Sequence, residues 1–138
     1  MKTTTLIIPA AGKSSRFPGT RPKWMLTHPN GSMMINACIE NFDLSFVSKI
    51  IVVVLSDHLE ENSIAPKTII RSFYDAGIKH EVEVISLEKE TNSQPETVYR
   101  AIKQANIQGA CFVKDSDNSF KYTPTAKNEV VFHDLNKC

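Results

Sequence analysis

The sequence predicts an α/β fold with a largely parallel sheet. Three observations carry that expectation. Apolar, β-rich runs alternate with amphipathic stretches in the order β-α-β-α-β-α-β. The run Ile50 to Leu55 is apolar at every position, as expected of a strand covered by helices on both faces. Turn-forming segments separate the runs, and no internal repeat, low-complexity stretch or linker interrupts them. At 138 residues, 1–138 is expected to be a single domain with a real core.

Each element has its own signal. Thr3 to Pro9 is short, β-rich and apolar, and predicts a buried strand. Residues 10–22 form a loop rich in Gly, Ser and Pro. Asn30-Gly31-Ser32 reads as a turn that opens a helix. Met33, Met34, Ala37, Cys38 and Ile39 give that helix its stripe, and it is expected to end near Phe42. Ile50 to Leu55 is the second strand, and Ser56 or Asp57 is suited to cap a short helical turn after it. Ile64 to Ala76 predicts a helix with Ile69, Ile70, Phe73 and Ala76 inward and Gly77 as its stop. Glu81 to Leu87 sets Val82, Val84 and Ser86 against Glu81, Glu83 and Ile85, a strand more exposed than the second. Gln94 to Ala105 is a helix with Val98, Ala101, Ile102 and Ala105 on one face. Ala110 to Val113 reads as a fourth strand and Val130 to Phe132 as a fifth.

Composition narrows the function classes. Hydrophobic residues make up 41% and charged residues 22%, ordinary for a globular chain and against wholesale disorder. The longest strongly apolar run, Ile50 to Leu55, falls far short of the ~20 residues that span a bilayer. Pro9 follows Leu6-Ile7-Ile8 too soon for a signal-peptide core, so a cytoplasmic location is expected. Cys38, Cys111 and Cys138 fit neither a disulfide framework nor a zinc pattern; Cys38 and Cys111 read as buried thiols. His28, His58, His80 and His133 form no pattern and read as surface or packing residues. A net charge of +1 points to no nucleic-acid partner and no membrane partner. Its distribution says more. Lys2, Lys13, Arg16, Arg21 and Lys23 precede the first acid, Glu40. The window Lys13 to Lys23 is either a local anion site or a solvated basic loop.

In open parallel sheets, ligands bind beyond the carboxyl ends of the strands. Two features fall there: the basic loop after the first strand and the acids after the fourth. The loop runs Pro9-Ala10-Ala11-Gly12-Lys13-Ser14-Ser15-Arg16-Phe17, then Arg21-Pro22-Lys23. Its small residues let a ligand approach the backbone, whose N–H groups suit phosphate. Arg16 and Lys23 have the charge to neutralise a triphosphate. Gly12-Lys13-Ser14 is not a P-loop, because Ile7 stands where that motif needs Gly. The dinucleotide fingerprint fails too, because Gly12 has no partner Gly at the required spacing.

The run Pro-Ala-Ala-Gly-x-x-x-Arg-Phe, with Pro22-Lys23 behind it, resembles the signature loop of the nucleotidyltransferase superfamily, sugar-1-phosphate nucleotidyltransferases included. The usual pattern is a hydrophobic strand, A-[AG]-G-x-G-[ST]-R, then P-K; here Ser14 replaces the second Gly. The resemblance implies a Rossmann-like three-layer fold of the nucleotide-diphospho-sugar transferase (GT-A) type. It implies that Ala10, Ala11 and Gly12, with Lys13 and Ser14, lie along the nucleotide, and that Arg16 and Lys23 contact its phosphates in the catalytic role. Gln94, which has the donors and acceptor to read a base edge, resembles the family's base-side segment, with Thr97 either capping the helix or touching the nucleotide.

The acids after the fourth strand lie in Phe112-Val113-Lys114-Asp115-Ser116-Asp117-Asn118. Carboxylates at a strand end suit Mg²⁺, a hard cation often shared with substrate phosphates. The resemblance makes Asp117 the Mg²⁺ ligand and Asp115 a second or water-mediated contact. An EF-hand loop fails because Phe120 stands where Gly is needed. A haloacid-dehalogenase-type phosphatase matches Asp115 to Ser119, but its fold needs far more chain after that motif. The reaction implied is attack of a phosphorylated sugar or similar acceptor on the α-phosphate of a nucleoside triphosphate, releasing pyrophosphate. The resemblance covers residue 5 to about residue 119, and family members usually run beyond ~200 residues. The chain therefore reads as the nucleotide-binding half, truncated before the acceptor half. Two classes remain: an active nucleotidyltransferase, and a non-catalytic nucleotide-binding module that needs a homo-oligomer or a completing partner chain.

Overall fold

The computed structural model describes residues 4–11, 23–25, 33–39 and 42–114. They form a four-stranded, all-parallel sheet between helices. The strands are β1 (Thr4–Pro9), β2 (Lys49–Leu55), β3 (Glu81–Leu87) and β4 (Ala110–Val113). The helices are α1 (Met34–Ala37), α2 (Ser56–Glu61), α3 (Pro66–Asp75) and α4 (Gln94–Ala105), and a 3-10 turn spans Lys23–Met25. The strand order is β3-β2-β1-β4. The α/β class and the three-layer parallel architecture expected from the sequence are both present.

Strand alternation sorts the apolar side chains into two cores. On one face, Leu6, Ile8, Ile50, Val52 and Val54 pack with Ile35 of α1 and with Ile69 and Phe73 of α3. On the other, Ile7, Ile51, Val53, Leu55, Ile85 and Leu87 pack with Ala101 of α4. Val98, Ile102 and Ala105 join that second core, so the face expected for α4 is the face it buries. β3 is more exposed than β2, as its charged alternation predicts. Its edge carries Glu83, 2.6 Å from Lys49, and that pairing raises the pKa of the ammonium. Charges along an edge strand discourage pairing with another sheet.

Four sequence expectations need correction. α1 ends at Ala37, with a turn at Cys38 and Ile39, instead of running to Phe42. Phe42 instead meets Phe112 of β4 edge-to-face, with ring centroids 5.8 Å apart; this tertiary contact overrides the helical spacing. Ile70 and Ala76 are exposed rather than inward. Ile69 and Phe73, one turn apart, take the centre of the α3 stripe and leave Ile70 on its flank. The cap of α2 is Leu55, which makes no side-chain cap bond. Cys111 is exposed, whereas Cys38 is buried as expected. Cys111 pairs with Thr5 on the outermost described strand, away from the helices that cover β2. Gly77 does end α3, with φ of +89°. The fifth strand expected at Val130 to Phe132 lies outside the described residues.

Phe73 is fully buried and Tyr74 is 65% exposed, so neighbours on one helix give a clean contrast. Phe73→Ala is expected to destabilise the fold by about 3–5 kcal/mol, and Tyr74→Ala by about 0.5 kcal/mol or less. Urea unfolding of the two variants checks both values.

Candidate functional site

The strand order creates a crevice. The chain steps outward from β1 to β2 to β3, then returns to place β4 on the free side of β1. Strand order thus reverses between β1 and β4, and in such sheets ligands bind beyond the carboxyl ends of the strands at a reversal. The Ala10 N–H donates to the Val53 carbonyl at 2.7 Å, which carries the β1 track one residue past the strand. Ala10 is buried in the α1–α3 core and Ala11, fully buried, in the α4 core. On the other strand, the Lys114 N–H donates to the Ile7 carbonyl at 3.0 Å. The chain thus enters residues 12–22 and residues 115–138 from adjacent points on the sheet. Gly12, Lys13, Ser14, Arg16, Asp115 and Asp117 lie outside the described residues.

Two groups at this end of the sheet were not singled out by the sequence. Lys114 is 3% exposed, and its ammonium lies 5.7 Å from the centroid of the Phe42 ring, within cation–π range. The sequence signal was available: Lys114 follows Phe112 at strand spacing and so shares its face. Lys23 opens the 3-10 turn, and the next residue, Trp24, is 2% exposed. The Trp24 Nε1 is buried without a hydrogen-bond partner.

The third part of the candidate site is the start of α4. Ser93 has extended backbone, with φ of −160° and ψ of 161°, and its hydroxyl accepts the Glu96 N–H. It is the helix N-cap. Pro95 in the first turn has no N–H to leave unsatisfied. The Ser93-Gln94-Pro95-Glu96 spacing is a capping-box signature, legible in the sequence. Glu96 reaches back and accepts the Asn92 N–H at 2.7 Å, and Arg100 donates to it from one turn on at 2.9 Å. The Asn92 bond, then Arg100, hold the Glu96 carboxyl below its ordinary pKa. Gln94 is exposed as the first residue of the helix. Thr97 is 2% exposed and bonds to the Ser93 carbonyl and the Thr91 hydroxyl. It lies beneath the cap that Ser93 provides.

His58, in the first turn of α2 directly beyond β2, is also at the carboxyl end. Its Nδ1 is buried without a hydrogen-bond partner. Burial lowers its pKa, against the opposing pull of Glu61, Asp57 and Glu90. Among the described residues, no group of three or more His, Cys, Asp or Glu could hold a metal ion. A groove of about 510 Å³ lies at the opposite, amino end of the strands, lined by Ile39, Phe42, Leu44, Ile78 and His80 among others. No described helix is long and apolar enough to cross a membrane.

No protein-family model matches the sequence, and no curated protein matches it. Among solved structures, the chain is similar to a nucleoside-diphosphate-sugar pyrophosphorylase from Vibrio cholerae RC9, with a TM-score of 0.64 and 21% identity. The match covers 96% of this chain and 52% of that one, so the chain spans about half the length of the structure it resembles. The likeness shows the fold: a Rossmann-like parallel sheet of the kind that structure has.

The sign of the His58 shift sets a pH dependence. Its folded pKa lies below the ordinary 6.5, so the unfolded chain takes up the proton first. The associated stability is full above about pH 6.5 and declines as pH falls through the folded pKa. Between pH 7.5 and pH 5.5, the wild-type urea midpoint should fall further than that of His58→Gln. Equal declines would mean that the ring titrates freely.

Proposed function

We propose that this chain binds a nucleoside triphosphate with Mg²⁺ and transfers the nucleotidyl group to a phosphorylated sugar or similar acceptor, releasing pyrophosphate. The observation that carries the reading is the β1–β4 switch point. The phosphate-type loop is joined to one of these strands and the Asp115–Asp117 segment to the other, at the same end of the sheet. The likeness to a nucleoside-diphosphate-sugar pyrophosphorylase agrees in fold.

In this reading each residue has one task. The buried small residues Ala10 and Ala11, with Gly12, Lys13 and Ser14, let the nucleotide lie against the backbone. Arg16 and Lys23 hold the phosphates and offset the charge that builds on departing pyrophosphate. Gln94 reads the base edge, and Thr97 supports the turn that carries it. Asp117, with Asp115, would hold Mg²⁺, which supplies charge neutralisation on the phosphate oxygens. Positioning and electrostatics suffice for such a transfer, and no covalent enzyme intermediate is required.

The half-length match favours a second reading, a nucleotide-binding half whose turnover depends on a homo-oligomer or a completing chain. The two readings share the nucleotide site and differ in product.

Calorimetric titration with CTP, GTP, UTP, ATP and dTTP, with and without Mg²⁺, tests the shared site. One triphosphate should bind selectively. Arg16→Ala should weaken it roughly ten- to a hundredfold, the loss expected for a hydrogen bond to a charged group. Asp117→Ala should abolish the Mg²⁺ dependence. Absence of binding by the folded chain overturns the reading. Pyrophosphate release with a sugar-phosphate panel then separates enzyme from binding module.

A further inference from the structure

We propose that Thr91 is a positioning residue for base selection: its hydroxyl, tied to Thr97, fixes the backbone from which Gln94 projects. The inference rests on the nucleotide-binding reading above and adds no new ligand site.

The Thr97 hydroxyl meets both the Ser93 carbonyl, at 3.3 Å, and the Thr91 hydroxyl. In the bond between the two threonines either hydroxyl can donate, so the tie needs both of them. The anchor is firm. Thr97 is 2% exposed on a 12-residue helix, and Ala101, one turn on, is fully buried against the sheet.

The other ties in this region do different work. The Ser93 hydroxyl and Ser93 carbonyl bind the Glu96 and Thr97 N–H groups and close the helix start. The Glu96 carboxylate holds the Asn92 N–H, but from a partly exposed, charged side chain shared with Arg100. The Thr91 bond spans six residues and is made to a buried partner. It fixes the incoming chain between β3 and α4, just before Gln94. Gln94 is exposed and has several rotatable bonds, so its amide can discriminate between bases only if its backbone is held. A purely structural Thr91 would alter stability, and with it binding, equally for every ligand. A positioning Thr91 alters the preference between bases.

The test titrates wild type, Thr91→Val and Thr91→Ser with the five triphosphates and with inorganic tripolyphosphate, all with Mg²⁺. Tripolyphosphate has no base. Thr91→Val should narrow the affinity ratio between the best and second-best triphosphate by roughly three- to tenfold, the worth of one hydrogen bond. Tripolyphosphate binding should not change, and Thr91→Ser, which keeps the hydroxyl, should keep the preference. If Thr91→Val does not fold, Thr91→Ala removes the hydroxyl with less bulk and serves in its place. The proposal is overturned if the variant keeps the wild-type ratio, or weakens every ligand alike, or if wild type shows no preference. If wild type binds no triphosphate at all, the nucleotide-binding reading fails first, a result distinct from an unchanged ratio.

Discussion

Strand β2 is buried along almost its whole length, and a strand in that position must find every backbone partner inside the sheet. Its two neighbours, β1 and β3, run parallel to it. Parallel neighbours cannot be joined by tight turns, so the chain has to cross over between strands. The crossovers bring α1, α2 and α3 to one face and α4 to the other, and the two cores follow. Other features can vary without disturbing this arrangement. A charged group within the buried run Ile50 to Leu55 would disturb all of it, because neither face offers water there.

The same constraint decides where chemistry can occur. With β2 and β3 on one side of β1, the returning chain takes the other side, where β4 pairs from Thr4↔Ala110 to Ile7↔Val113. Strand order reverses between β1 and β4, the position in such sheets where ligands bind. The alanines at the end of β1 are buried one to each core, which anchors the backbone there. An anchored backbone suits an anionic ligand better than a flexible one would. The amino end of the strands offers a different surface, an apolar groove without a comparable cluster of charge.

The start of α4 is built from short polar side chains rather than from core packing. Ser93 satisfies a first-turn N–H that the helix cannot satisfy itself, and Glu96, Thr97 and Thr91 tie the incoming chain to that turn. Such a network fixes a loop without filling it, leaving Gln94 outward. Polar ties of this kind are each worth only about 1 kcal/mol, so their value lies in orientation more than in stability.

Much of the fold was legible in the sequence. The bounds of β3, α4 and β4 fall on the predicted residues, because each has a clean period and a marked start or stop: Glu81 to Leu87 alternates, Ser93-x-x-Glu96 caps, and Gly109 and Gly77 turn. The parallel class followed from the unbroken apolar run of β2. Less of the candidate site was legible. The basic loop and the acid pair could be read as types and spacings, and the strand order explains why the chain enters segments a hundred residues apart from adjacent strand ends. The fates of single side chains were not legible. Phe42 left its helical stripe for Phe112, Cys111 stayed exposed on an outer strand, Lys114 was buried against an aromatic ring, and Thr97 turned inward to Thr91. Local periodicity determines which face a residue occupies, so the sequence by itself determined the elements and their class. What covers that face depends on neighbours distant in the chain, so only the tertiary structure decided which of these residues are buried, bonded or open to a ligand.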